Sequence, residues 1–281
     1  MKYDIVLAGV GGQGILTIAY LLDNAAVNKG LRFKQAEVHG MAQRGGAVYS
    51  HMRISDEEII SDLIPEGRAD MILSVEPLEV QRYLAFLAPE GVVVSNNQTF
   101  VNISDYPDEE AVIDAVLALP NAVLFNARAI AMAHKAPRAQ NVATVGAATP
   151  FLPFSVEDFE PIIRVLFEKK GEKVVETNLA VLRDAHNAGM FYKKLLDSGV
   201  PSPSSIALFE RSLSHPTISN WPQPLLRFSR PIRRRPRPIC VPSRSRFPVI
   251  RNSSRNLADS ARESRLVRGS LRRNTSVPFP L

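Results

Sequence analysis

Apolar positions along the first 200 residues alternate between two periods. Tyr3 to Ala8 is a near-continuous apolar run, the pattern of a strand buried on both faces, interrupted only by Asp4. From Gly12 to Asn28 the period lengthens to that of a helix, with Ile15, Ile18, Ala19, Leu22 and Ala26 on one face. Phe33 to Val38 reads as a second strand. Ala47 to Ile54 reads as a third, with Val48, Ser50, Met52 and Ile54 on one side. Met71 to Val75 is a further strand, and Pro77 suits the opening of a helix that carries Val80, Leu84 and Leu87. Gly91 to Ser95 and Ala122 to Asn126 read as strands, the latter leading into a helix from Ala127 to Lys135. After Pro153 the period is helical throughout, over Val156 to Lys169 with Ser155 as N-cap, and over Glu172 to Leu196. Strands alternating with helices predict a three-layer, Rossmann-like α/β domain with a largely parallel sheet.

Beyond residue 199 the periodicity ends and the composition changes. Residues 201–281 hold 16 Arg and no Lys against three acidic residues, a formal charge of +13, whereas residues 1–200 carry −7. Twelve of the 21 prolines and only one of the 15 glycines lie in those last 81 residues. The overall basicity therefore averages an acidic domain with a very basic tail, and nucleic-acid binding does not follow from it. The sequence predicts a domain over 1–199 and a disordered Arg/Pro/Ser-rich tail over 200–281. Arginine without lysine, beside a body with nine of each, is the signature expected of a shifted reading frame. A genuine basic tail that contacts RNA or an acidic partner is the competing reading.

The only cysteine is Cys240, so residues 1–199 can hold neither a disulfide nor a cysteine-ligated iron–sulfur or zinc centre. No apolar run approaches the roughly 20 residues that span a bilayer. The start of the chain lacks the charged, apolar, small-residue order of a signal peptide. The expectation is a cytoplasmic protein.

Two glycine-bearing segments carry the candidate chemistry. Gly9-Val10-Gly11-Gly12-Gln13-Gly14 follows the first strand and opens the first helix, where backbone N–H groups and the helix dipole suit an anion or a close partner contact. Gly9, Gly11 and Gly14 also fit the dinucleotide fingerprint, with Glu37 at the ribose-binding distance, so an independent NAD(P)-binding protein is an alternative. The Gly11-Gly12-Gln13 tripeptide matches a peptidyl-tRNA hydrolysis motif, but a strand-to-helix junction is not the mobile tip that motif needs. The second segment runs from Glu37 to Gly46. It offers His39, Gln43 and the planar fork of Arg44 beside Gly45 and Gly46, an anion-receptive rim at the carboxyl end of the sheet. The competing view is a surface turn with a solvated arginine. His51, His134 and His186 are expected to be structural. Asn141, after Pro137, suits a helix cap.

Taken in order, GVGGQG, EVHGMAQRGGAVYSHMRI and NVATVGAATPF resemble the gamma-type domain of 2-oxoacid:ferredoxin oxidoreductases, from Met1 to about Gly199. The resemblance implies a subunit inactive alone. A large partner would bind thiamine diphosphate and magnesium and carry iron–sulfur clusters, while this chain binds none of them and completes the active-site and coenzyme A region. The implied reaction is oxidative decarboxylation of an aryl 2-oxoacid such as indolepyruvate, giving an acyl-CoA, carbon dioxide and two electrons for ferredoxin. The chain carries no G-D-G…N-N signature of a thiamine-diphosphate site, which agrees with that division of labour. Carried onto this sequence, the implied partner- or cofactor-facing residues are Gly9, Gly11, Gly12, Gln13 and Gly14, with Gln43, Arg44, Gly45 and Gly46, and Asn141 and Gly146 of the third segment as weaker members.

Overall fold

The computed structural model describes residues 1–39 and 45–199. Six strands form one sheet in the order β2-β3-β1-β4-β5-β6. They are β1 (Lys2–Val10), β2 (Arg32–His39), β3 (Ala47–Ser55), β4 (Ala69–Ser74), β5 (Leu87–Asn96) and β6 (Ala122–Phe125). From β1 through β4 and β5 to β6 the pairing is parallel; β3 runs antiparallel to both β1 and β2. The alternation read from β3 holds, with Met52 and Ile54 packed into the larger core and Tyr49 and His51 on the opposite face with Tyr83 and Phe86.

Strand β1 is central, and Ile5 to Val10 are buried on both faces. Its one buried charge, Asp4, is 1 % exposed and held by Arg53 of β3, Nε to Oδ1 at 2.9 Å and Nη2 to Oδ2 at 3.2 Å, with Lys2 Nζ also 2.9 Å from Oδ2. A carboxylate buried this deeply is tolerable only with such a partner.

The helices are α1 (Ile15–Asn28), α2 (Pro77–Arg82), α3 (Glu109–Leu117), α4 (Ala127–Ala133), α5 (Gln140–Ala148), α6 (Glu160–Phe167) and α7 (Glu172–Asp197). On one face of the sheet α1, α4, α5, α6 and α7 enclose the larger core with Ile5 and Leu7. On the other, Val80 of α2 and Val116 of α3 pack with Val6, Ile72 and Val93. Helix α5 lies between β5 and α7, so Val142 to Ala148 are all buried and, Thr144 aside, apolar. Close approach of α5 to α7 depends on two glycines. A Cβ on Gly146 would lie 2.5 Å from Leu182 O, and one on Gly189 would overlap Ala147 O.

Several sequence expectations need correction. Helix α1 begins at Ile15, not Gly12, because the glycines form the preceding turn. The helix from Pro77 stops at Arg82, and Leu84–Phe86 is a separate 3-10 turn. Leu87 already pairs with Ala69, so sheet pairing overrides the helical spacing of Val80, Leu84 and Leu87. The expected helix over Val156–Lys169 divides into 3-10 turns at Val156–Asp158 and Glu168–Lys170 around α6, with Pro161 at its start. Ser155 does form a capping box with Asp158. Asn141 caps nothing: the N-cap of α5 is Ala139. Helix α3 was not anticipated, although Asp108 caps it through Ala111 N at 3.0 Å. The tail expected over 200–281 lies outside the described residues, as do Gly40 to Arg44 and the side chain of His39.

Overfilling the α5–α7 crossing tests this packing. Gly189→Ala should cost about 2–3 kcal/mol, since the new methyl meets backbone that cannot rotate away. Denaturant unfolding of the two proteins checks it; equal midpoints would contradict the crossing.

Candidate functional site

The antiparallel return of β3 brings the two glycine segments together. Val10 pairs with Ala47 at the end of the β1–β3 ladder, and the ladder continues through the glycines. Gly11 N–H donates to Gly46 O at 2.8 Å, and Gly45 N–H donates to Gly11 O at 3.2 Å. Gly12, Gly14 and Gly45 have φ of +97°, +82° and +80°, a region that penalises any side chain. At Gly14 a Cβ would also overlap Asn141 Nδ2, whereas at Gly12 it would meet open space.

Gln13 is part of the turn's own wiring. Its Oε1 accepts from Val10 N–H at 2.9 Å, and its N–H donates to Val10 O at 3.0 Å. Helix α1 has no side-chain cap and no acidic residue in its first turn. Among the described residues, the N–H groups of Gly12, Gly14 and Ile15 meet no acceptor. An anionic group or a partner's carbonyl is what such a turn can receive.

The structure brings Gly11, Gly12, Gln13, Gly14, Gly45, Gly46 and Asn141 together. It does not bring Gly9 or Gly146 to that surface. Gly9 is buried in β1, where a Cβ would lie 2.7 Å from Ile15 Cδ1, and Gly146 lies inside the α5–α7 crossing. Both glycines serve close packing. His39 enters only through its backbone, opposite Val48. Gln43 and Arg44 fall outside the described residues.

Sequence reasoning missed the layer behind the turns. Glu76 follows β4 and caps α2, accepting from Glu79 N–H at 3.0 Å. It is 1 % exposed, and its other oxygen accepts from Phe100 N–H at 3.3 Å and from the Tyr106 hydroxyl. Asn102, on the same loop, donates from Nδ2 to Gly45 O at 2.6 Å. The available signal was a carboxylate immediately before Pro77 at a helix start. One turn on, Glu79 is buried; its Oε1 accepts from Arg82 Nε at 3.1 Å, and Oε2 has no hydrogen-bond donor. Burial raises its pKa from 4.5 to about 7, with Arg82 opposing and Glu76 adding to the rise. Tyr106 is raised by burial and by Glu76. On α1, Asp23 is pushed up to about 7 by burial and by Glu37. Two of the three expected structural histidines have local partners: His51 Nδ1 accepts from Ile64 N–H at 2.8 Å, and His134 pairs with Asp184 at 2.6 Å, whereas His186 Nδ1 is buried without a hydrogen-bond partner.

The dinucleotide alternative meets a topological obstacle. A ribose-gripping acid must sit on the strand next to β1, but β3 intervenes. Glu37 on β2 therefore stands two strand spacings away, roughly 9–10 Å. Among the described residues no three His, Cys, Asp or Glu side chains gather as a metal site, and no helix is long and apolar enough to cross a membrane.

Comparison with known proteins defines the class. The pyruvate ferredoxin/flavodoxin oxidoreductase family matches residues 4–188, and the chain belongs to that family. It is 37 % identical over 196 residues to indolepyruvate oxidoreductase subunit IorB of Archaeoglobus fulgidus, covering 66 % of this chain and 95 % of that protein. The fold agrees with pyruvate oxidoreductase subunit PORC of Thermotoga maritima at TM-score 0.50 and 21 % identity, over 66 % of this chain and 95 % of that one. It agrees also with part of a 2-oxoglutarate:ferredoxin oxidoreductase from Magnetococcus marinus, solved with 2-oxoglutarate, coenzyme A and succinyl-CoA bound, at TM-score 0.52 and 19 % identity. That match covers 66 % of this chain and 30 % of the other. The protein is thus a small subunit of a multi-subunit oxidoreductase complex with larger catalytic subunits.

The buried acids give this site a pH signature. Glu79 and Asp23 hold protons more tightly folded than unfolded, so stability should fall as pH rises from about 4.5 to about 7 and then level off. Glu79→Gln should make that fall smaller. Urea midpoints at pH 4.5 and pH 8 measure it, and an unchanged fall would remove Glu79 as a contributor.

Proposed function

We propose that residues 1–199 work as the non-cluster subunit of a thiamine-diphosphate-dependent 2-oxoacid:ferredoxin oxidoreductase whose substrate is an aryl pyruvate, indolepyruvate in particular. The observation that carries this reading is the 37 % identity to an indolepyruvate oxidoreductase subunit over 95 % of its length. In this reading thiamine diphosphate, magnesium and the iron–sulfur clusters belong to the large subunit, coenzyme A is the co-substrate and ferredoxin takes the electrons. When bound there, thiamine diphosphate would supply the electron sink that decarboxylation of a 2-oxoacid needs.

The small subunit's own part is to receive and orient. The paired glycine turns present backbone N–H groups at the start of α1, with no side chain at Gly12 to hold a neighbour off. That arrangement suits a partner's backbone or an anionic group of coenzyme A. Arg44, next to Gly45 in sequence, supplies the positive charge for the same contact.

Two measurements test this. The full chain, and the chain ended after Gly199, should each be inactive alone. With the large subunit, both should reduce a viologen dye in the presence of indolepyruvate and coenzyme A. Turnover by the isolated chain, or loss of assembly on truncation, would refute the assignment.

In the complex, Arg44→Ala should weaken either subunit affinity or the coenzyme A Michaelis constant at least tenfold, since a desolvated charged contact is worth roughly 2–5 kcal/mol. Unchanged assembly and kinetics would make Arg44 a solvated surface residue.

A further inference from the structure

Two sets of hydrogen bonds, joined by a short length of loop backbone, connect the interior of the sheet to the glycine surface. Ser74, at the end of β4, fixes the start of the first: its hydroxyl donates to Glu76 O at 2.6 Å, with Ala8 O also in reach at 3.1 Å, and accepts from Glu76 N–H at 3.2 Å. Glu76 then holds the backbone of Phe100 and the hydroxyl of Tyr106, 24 and 30 residues further along the chain. Between those anchors Asn102 donates to Gly45 O, and Gly45 donates to Gly11 O. The loop tip leaves Phe100 44 % and Val101 62 % exposed, so burial of its own apolar side chains does not hold it down. The buried carboxylate does.

We propose that Glu76 is a positioning residue: by anchoring loop 97–107 through Phe100 and Tyr106 it sets Asn102, and through Asn102 the paired turns at Gly11 and Gly45. Its effect on the complex rests on the reading that these turns face the large subunit or coenzyme A. Chemistry makes Glu76 suited to the task. The two oxygens of a carboxyl group accept from several directions, and those of Glu76 meet three donors from two parts of the chain, Glu79 N–H on α2 and Phe100 N–H and the Tyr106 hydroxyl on the loop. A loop held this way is ordered by charge-assisted bonds from beneath, which leaves its outer apolar surface free for contact.

The test avoids changing Glu76 itself first, because it also caps α2. Tyr106→Phe removes one donor to the carboxylate and keeps the ring, and Asn102→Ala cuts the tie to Gly45. Tyr106 has no contact with Gly45 in this network. Even so, Tyr106→Phe should speed amide hydrogen exchange at Gly45 to Val48 by about tenfold in the full chain. In the reconstituted complex each variant should weaken subunit affinity, and the double variant should be no weaker than the worse single, because the two act in series.

Unchanged exchange at Gly45 to Val48, or effects that multiply as independent, would overturn the positioning role. Were Arg44→Ala to weaken the complex while neither loop variant did, Glu76 would lose the role and the partner-facing surface would stand. Faster exchange with full affinity in all three variants would keep the positioning network and refute the partner-facing reading of the glycine turns.

Discussion

Extension of the β1–β3 ladder by Gly11, Gly45 and Gly46 is the interaction on which the candidate surface depends. Strand β3 returns antiparallel beside β1, so the β2–β3 connection must end where β1 turns into α1. Backbone pairing beyond Val10 and Ala47 brings two turns within hydrogen-bonding distance, and positive φ at Gly12, Gly14 and Gly45 lets both bend away at once. Side chains at these positions would separate the turns or strain them. The two glycine segments, 31 residues apart at Gly14 and Gly45, are one structural unit for that reason.

Behind this unit the protein accepts a cost. Burying Glu76 and Glu79 one turn apart is unfavourable unless their oxygens are satisfied. Glu76 is fully engaged, and Glu79 is only half engaged, which is why burial drives Glu79 toward its protonated form. The pair divides the work. One acid orders the loop that touches the glycine turns, and the other closes the helix through Arg82. Perturbed acids often mark catalytic centres. Here the perturbation has a structural origin: Glu79 is buried on α2, and Asp23 is half-buried on α1 in the field of Glu37 on β2.

Much of this architecture was legible in the chain. The apolar run of β1, the inward face of Met52 and Ile54 on β3 and the long period of α7 each followed from side-chain spacing, because burial there is set by a single face or by full enclosure. Helix α2 was read too long because pairing of Leu87 with Ala69 is a tertiary fact that local spacing does not encode. The antiparallel insertion of β3 was invisible for the same reason, and it is what separates Glu37 from the first turn. Within the site, the glycines announced themselves by type. Glu76 and Asn102 did not, since their partners lie 24 to 57 residues away and only the fold joins them.

Similarity and geometry constrain function in different ways. At 19–21 % identity the solved structures establish that this sheet and its helices recur in proteins that act on different 2-oxoacids, so the fold alone selects no substrate. What this chain brings to its surface is consistent with that. Backbone N–H groups at the start of α1 recognise charge and carbonyl oxygen without regard to an aryl or alkyl side chain. A subunit built this way can be shared in design across enzymes of different specificity, because the groups that distinguish one 2-oxoacid from another must touch its side chain. On the proposed reading, substrate choice belongs to the partner surface that meets these turns, and the glycines, Asn102 and Glu76 set how firmly it is met.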